Sequence, residues 1–189
     1  ATHGEAILKN THPHLSENIS IVHNGIIENY IELKSLLKKK GYSFKSDTDS
    51  EVISHLINMN YKKTKNMESS IILTTKMLKG SYAIGCINTN YPNIIFAACK
   101  GSPLIIGKGV NENFIASDIM PILSDTRHYI TLDDNEFAKL TPSKISIFNA
   151  NKKTISKKVK TSKINTEQAS LTGHKHFMHK EIYEQKSIL

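Results

Sequence analysis

Ile19-Ser20-Ile21-Val22-His23-Asn24-Gly25-Ile26-Ile27-Glu28-Asn29 is the stretch around which the rest of the chain can be read. Ile19, Ile21 and Val22 form a short apolar, β-branched run, the composition of a buried strand. After His23-Asn24-Gly25, apolar residues recur at helical spacing: Ile26, Ile27, Tyr30, Ile31, Leu36 and Leu37. The pattern predicts a strand that turns at Asn-Gly directly into a helix. Such a corner leaves backbone N–H groups unpaired at the helix start, where they and the helix dipole favour negative charge. The Asn24 amide is a further donor, so Asn24 and Gly25 have the parts of an oxyanion hole. The same dipeptide is also a common tight turn, and spacing alone leaves both readings open.

The chain has 189 residues, 39% hydrophobic and 22% charged, enough for one domain with a sizeable core. No apolar run approaches the length of a membrane span. The opening Ala1-Thr2-His3-Gly4 is neither a signal nor a transit peptide, and without a Met it starts in mid-pattern. Cys86 and Cys99 each sit in an apolar run, the usual setting of reduced core cysteines in a cytosolic protein. The net charge of +8 comes largely from lysine, and residues 139–163 hold many lysines and no acidic residue. Phe148 is the single aromatic residue there and arginine is absent, so a solvated hairpin face is expected, not a nucleic-acid surface.

Taken in order, the first helix should end at Lys38-Lys39-Lys40 before Gly41. Tyr42 to Phe44 reads as a short extended piece. Ser46-Asp47-Thr48-Asp49-Ser50-Glu51 opens a second helix, with Thr48 and Glu51 at capping-box spacing and Val52, Ile53, Leu56 and Ile57 as its buried stripe. A third helix is expected over 67–79, stopping at Gly80. Strand-like runs then dominate: 82–87, 94–99, 104–106, 113–118, 129–132, 136–140 and 144–148. Residues 161–173 are polar and read as loop. Helices early and strands late indicate an α+β fold with antiparallel sheets.

Nine histidines invite a metal reading, but no His-Glu-x-x-His or paired Cys-x-x-Cys spacing appears. No P-loop, dinucleotide fingerprint or Gly-x-Ser-x-Gly elbow is present either. Asp47 or Asp49 could hold a substrate ammonium or simply cap a helix. Spacing thus offers an oxyanion corner and an acidic cap without a nucleophile.

Taken jointly, the motifs resemble a known family. Ala1-Thr2-His3-Gly4, His12-Pro13-His14, His23-Asn24-Gly25-Ile26-Ile27-Glu28-Asn29 and Thr48-Asp49-Ser50-Glu51 follow its order, as do Gly80-Ser81-Tyr82-Ala83, Gly101-Ser102-Pro103-Leu104 and Phe114-Ile115-Ala116-Ser117-Asp118. The series closes with Met178-His179-Lys180-Glu181-Ile182-Tyr183-Glu184-Gln185. The chain resembles the glutaminase, or class II glutamine amidotransferase, domain of the glutamine–fructose-6-phosphate aminotransferases. The resemblance implies the N-terminal-nucleophile hydrolase fold, an αββα sandwich, here incomplete because its first strands are missing. Residues 1–173 would be a partial amidotransferase domain and 174–189 a linker into a sugar isomerase domain absent from this chain.

In that family an N-terminal cysteine is the nucleophile. Its α-amine, with a pKa of about 7.7–8.0, serves as base beside a thiol of about 8.5. The resemblance makes the Asn24 side chain and Gly25 N–H the oxyanion hole, Asp49 the holder of the substrate α-ammonium, and Thr2 and His3 part of the loop receiving the α-carboxylate. His12 and His23 match histidines near that site without an assigned step. The released ammonia would aminate fructose-6-phosphate to glucosamine-6-phosphate for amino-sugar biosynthesis.

These residues hold neither the family's Cys-Gly-Ile opening nor the Arg-Trp that precedes Ala-Thr-His-Gly. The expectation is therefore a fragment, inactive and aggregation-prone alone, of a cytoplasmic enzyme that is homodimeric at full length. No cofactor, metal, nucleic acid or membrane is expected. The alternative is a non-catalytic glutamine-binding or regulatory module.

Overall fold

The structure, a computed structural model, describes residues 4–164 and 176–188. Among the described residues, ten strands form two antiparallel sheets. The six-stranded sheet has the order β1 (His14–Ser16), β2 (Ile19–Ile27), β3 (Gly80–Asn88), β4 (Ile95–Lys100), β8 (Glu136–Leu140) and β9 (Ile145–Asn149). The four-stranded sheet has the order β10 (Lys160–Thr161), β7 (His128–Thr131), β5 (Ile105–Lys108) and β6 (Asn113–Ala116). Helices α1 (Tyr30–Lys39), α2 (Glu51–Thr64) and α3 (Met67–Thr75) lie between β2 and β3 in sequence, and α4 spans Phe177–Ile188.

Strand alternation sorts the apolar side chains into two cores. Ile19, Ile21 and Ile27 of β2, Tyr82, Ile84 and Cys86 of β3, and Phe96 and Ala98 of β4 pack with Leu33 and Leu37 of α1, Val52, Ile53, Leu56 and Ile57 of α2, and Met67 and Ile71 of α3. The opposite face, with Ala83, Ala97, Cys99, Ala138 and Leu140, meets Ile106 and Ile130 of the second sheet and the flanking Leu104 and Leu132. The layers are therefore α, β, β. Among the described residues, the second sheet's other face is met by the short helical turn Met120–Ile122: a Cβ on Gly107 of β5 would lie 2.5 Å from Ile122 Cδ1. The described residues thus supply three of the four expected layers.

The central expectation needs a correction. β2 does not stop before Asn-Gly; it runs through to Ile27, paired along its whole length with β3 from Ile19↔Asn88 to Ile27↔Gly80. Ile26 and Ile27 are strand residues, and Ile27 is fully buried against the helices. The helix starts only at Tyr30, because residues 28 and 29 close a loop onto the start of β3. Glu28 N donates to Lys79 O, while Asn29 Nδ2 donates to Met77 O and Asn29 Oδ1 accepts Lys79 N–H. β-Branched residues fit either a buried strand or a helix core, which is why the periodicity misled here.

The second correction is at α2. Its N-cap is Ser50, whose side chain makes no cap bond, and Glu51 does not complete a box with Thr48. The Glu51 carboxylate reaches back to the amides of Lys45 and Ser46 instead, at 2.9 and 2.6 Å. Helix α3 is shorter than expected, ending at Thr75. The end of α1 before Gly41 (φ 86°) and the late strands lie close to where the sequence placed them. Residues 42–44 form no strand, and the polar stretch 165–173 lies outside the described residues.

Candidate active site

The open edge of β2 forms the centre of the site. β1 covers only residues 19–21 of that edge. Beyond it, side chains take over as acceptors: His23 N donates to His12 Nε2 at 3.3 Å, and Ile27 N donates to Asp49 Oδ2 at 2.7 Å. Backbone groups alternate along a strand, so the Gly25 N–H, midway between these two, points out of the same edge. Asn24 pairs with Ala83 and projects, exposed, from the face toward the second sheet. The Gly25 N–H and the Asp49 carboxylate thus lie along one stretch of strand edge, and Asn24 stands beside them on the face toward the second sheet. The donors come from a strand, not from a helix N-terminus as the sequence suggested.

Gly25 is required by backbone geometry. Its φ is 134°, and a Cβ there would lie 2.3 Å from the Ser81 carbonyl of β3. Only glycine can hold this position without pushing the two strands apart.

Two buried polar chains hold the start of α2. In the first, His23 Nδ1 lies 2.9 Å from Ser50 Oγ, which lies 3.5 Å from Asp49 Oδ1. Burial pushes the His23 imidazole down to about 4, outweighing the raising influence of Asp49, so the ring is neutral at pH 7. In the second, His14 Nε2 meets Thr48 Oγ1, Thr48 meets Ser46 Oγ, and Glu51 pairs with His55 at 3.4 Å, whose Nδ1 meets Ser16 Oγ. Burial alone would raise the Glu51 carboxyl. Hydrogen bonds from His55 and from the Lys45 and Ser46 amides outweigh it and hold the group down at about 2.

A cavity of about 340 Å³ opens beside Asn24 between the two sheets, lined by His12, Val22, Asn24, Ala83, Leu104 and Ile115 among others. A larger groove of about 620 Å³ lies elsewhere, lined by Lys108, Lys144 and Lys157. It holds none of Asn24, Gly25 and Asp49, so size does not mark the site. The lysine-rich hairpin carries ion pairs, with Lys139 on Glu68 at 3.2 Å and Lys157 on Glu136 at 2.8 Å and on Asp133.

Thr2 and His3 lie outside the described residues. Cys86 and Cys99 are buried, and burial pushes both thiols up to about 12, which makes neither a nucleophile. No cluster of three or more His, Cys, Asp or Glu suited to a metal ion occurs among the described residues. Sequence reasoning gave Ser50 no task. It sits in a polar run that reads as an ordinary cap.

The family model described as a glutamine amidotransferase domain matches residues 8–124, which include the β2 edge and Asp49. The chain belongs to the glutamine amidotransferase domain family. Over its whole length this amidotransferase chain is 48% identical to the glutamine–fructose-6-phosphate aminotransferase of Aquifex aeolicus, covering 32% of that protein. It is 47% identical over 98% of its length to the corresponding aminotransferase of Buchnera aphidicola subsp. Baizongia pistaciae, covering 30% of it. It thus spans about a third of the length of these relatives. Glutamine phosphoribosylpyrophosphate amidotransferase from B. subtilis superposes with a TM-score of 0.64 at 23% identity, over 79% of this chain and 34% of that one. At that identity the likeness speaks for the fold alone, and it bears out the N-terminal-nucleophile architecture. No described helix is long and apolar enough to cross a membrane.

Proposed function

We propose that this chain forms the acceptor part of the glutamine site of a glutamine–fructose-6-phosphate aminotransferase. The observation that carries the reading is that Asp49 is tied to the open edge of β2 beside Asn24 and Gly25, within a chain similar to such aminotransferases from end to end. Asp49, fixed by the Ile27 amide, holds the substrate α-ammonium. The Asn24 amide and the Gly25 N–H face the oxygen of the side-chain carboxamide.

Attack of a cysteine thiolate on the carboxamide carbon would place negative charge on that oxygen. These two donors would stabilise it without rearrangement. Collapse breaks the C–N bond and releases ammonia, and water then hydrolyses the thioester to glutamate. The thiolate belongs to a residue outside these 189, because Cys86 and Cys99 are buried and high in pKa. Thr2 and His3 are proposed to receive the α-carboxylate. Residues 1–173 act as the amidotransferase domain and 174–189 lead into a sugar isomerase domain, where ammonia meets fructose-6-phosphate. The enzyme acts in the cytoplasm as a homodimer and needs no cofactor.

The test is the full-length protein that carries this chain. It is expected to release ammonia from glutamine and to form glucosamine-6-phosphate when fructose-6-phosphate is supplied. Absence of ammonia release would overturn the reading, and the non-catalytic glutamine-binding module would replace it if calorimetry still showed glutamine binding.

A further inference from the structure

His23 is adjacent to the oxyanion donor Asn24, yet its side chain turns to the opposite face of β2 and is 6% exposed. There it meets Ser50 Oγ at 2.9 Å, and Ser50 in turn meets Asp49 Oδ1 at 3.5 Å. The Ser50 hydroxyl donates to the Asp49 carboxylate, so its oxygen accepts Nδ1–H of His23. The other carboxylate oxygen of Asp49 accepts the Ile27 N–H at 2.7 Å. These contacts close a ring that leaves β2 at His23, passes through the start of α2 and returns to β2 at Ile27. Gly25 lies midway between the two points of attachment.

We propose that His23 and Ser50 are positioning residues for glutamine: their hydrogen bond locks the Asp49 carboxylate to the strand segment presenting Asn24 and Gly25. The inference rests on the reading of Asn24, Gly25 and Asp49 as the glutamine site. Asp49 has one rotatable bond between its Cβ and carboxylate, and the Ile27 amide holds one of its oxygens. The Ser50 hydroxyl fixes the second, which sets the direction in which the carboxylate faces an ammonium. Losing that constraint weakens substrate binding more than it slows the chemical step, because the oxyanion donors stay on the intact β2–β3 ladder.

Steady-state glutaminase kinetics of the full-length protein test this with Ser50→Ala, Ser50→Thr and Asp49→Ala. Ser50→Ala is expected to raise the KM for glutamine about tenfold and to leave kcat within about twofold. Ser50→Thr keeps the hydroxyl and is expected to restore KM to within about twofold of the parent. Amide exchange should quicken at Ile27 in Ser50→Ala and stay unchanged at Ala138, in the distant strand β8. An unchanged KM in Ser50→Ala overturns the proposal. So does equal impairment in Ser50→Thr, or a loss of protection that reaches Ala138, since either would mean packing alone. Should Ser50→Ala not accumulate as folded protein, His23→Gln is measured in its place, with the same expected rise in KM and the same overturning result. Asp49→Ala separates the two readings: if it leaves KM unchanged, the glutamine site itself is misplaced, whereas a raised KM there with no change in Ser50→Ala removes only the lock.

Discussion

The two faces of β2 are built on different terms. Toward the helices, Ile19, Ile21, His23 and Ile27 are all buried, and the polar members of that layer are tied into hydrogen-bonded chains. Toward the second sheet, Val22 and Ile26 are 45% and 42% exposed, and the adjoining core relies on small side chains such as Ala83, Ala97 and Ala138. The sheets approach so closely at Gly85 that a Cβ there would lie 2.3 Å from Ile115 Cδ1, yet a cavity opens a few residues away beside Asn24. The difference teaches how one strand can serve both fold and chemistry. Its packed face provides rigidity, and its open face and edge leave the donor groups accessible.

The sharpest way to break this contrast is at the glycine of β2, which lies directly against β3. Gly25→Ala should cost at least about 3 kcal/mol in chemical denaturation, since it forces a side chain to a positive φ and into the Ser81 carbonyl. A near-neutral result would mean that β2 and β3 are not held as described. Next comes a matched pair of truncations. Leu56→Ala, fully buried on the helix side, should cost about 2–5 kcal/mol. Val22→Ala on the open face should cost about 0.5 kcal/mol. A Val22→Ala cost near that of Leu56→Ala would show that further structure covers the open face.

Acid titration sharpens the comparison by reading the polar chains on the packed face. The Glu51 carboxyl is depressed from 4.5 to about 2, so its contribution is present above pH 4.5 and lost as pH falls through about 2. At 1.36 kcal/mol per pKa unit this is on the order of 3 kcal/mol. Glu51→Gln should flatten the stability curve in that window, and an unchanged slope would contradict the network. The His23 imidazole, lowered from 6.5 to about 4, reads the same face at a higher pH. Its unfolded form binds a proton that the folded form refuses, so stability falls as pH drops from 6.5 toward 4 and changes no further below. His23→Gln should remove that part of the slope in urea melts, while His12 and His14, also lowered by burial, keep the remainder.

Much of the fold was legible from period and punctuation. The late strands follow from branched runs bounded by Asn, Pro and Gly, and the end of α1 from three lysines before Gly41. The buried stripe Val52, Ile53, Leu56 and Ile57 marks α2 correctly. The route of the chain at Ile26-Ile27 was not legible, because its decisive partner, β3, begins more than fifty residues later and no local signal announces that pairing. At the site, Asn24, Gly25 and Asp49 were legible as an oxyanion corner and an acidic cap, their roles came from the resemblance, and the structure ties Asp49 to the strand that carries Asn24 and Gly25. The partnership of His23 with Ser50 spans 27 residues and two elements, so only the folded chain shows it. For the same reason Glu51 read as a capping-box residue, although its carboxylate meets amides five and six residues earlier.

The central claim is that Asn24 faces the reacting oxygen while Asp49 holds the distant ammonium, and paired kinetics on the full-length protein test it most directly. Asn24→Ala should lower the glutaminase kcat by about 10²–10³ with little change in KM. Asp49→Ala should raise the glutamine KM at least about tenfold with a smaller effect on kcat. Variants that lose kcat and KM in the same proportions, or that leave both unchanged, would contradict the placement of glutamine along this strand edge.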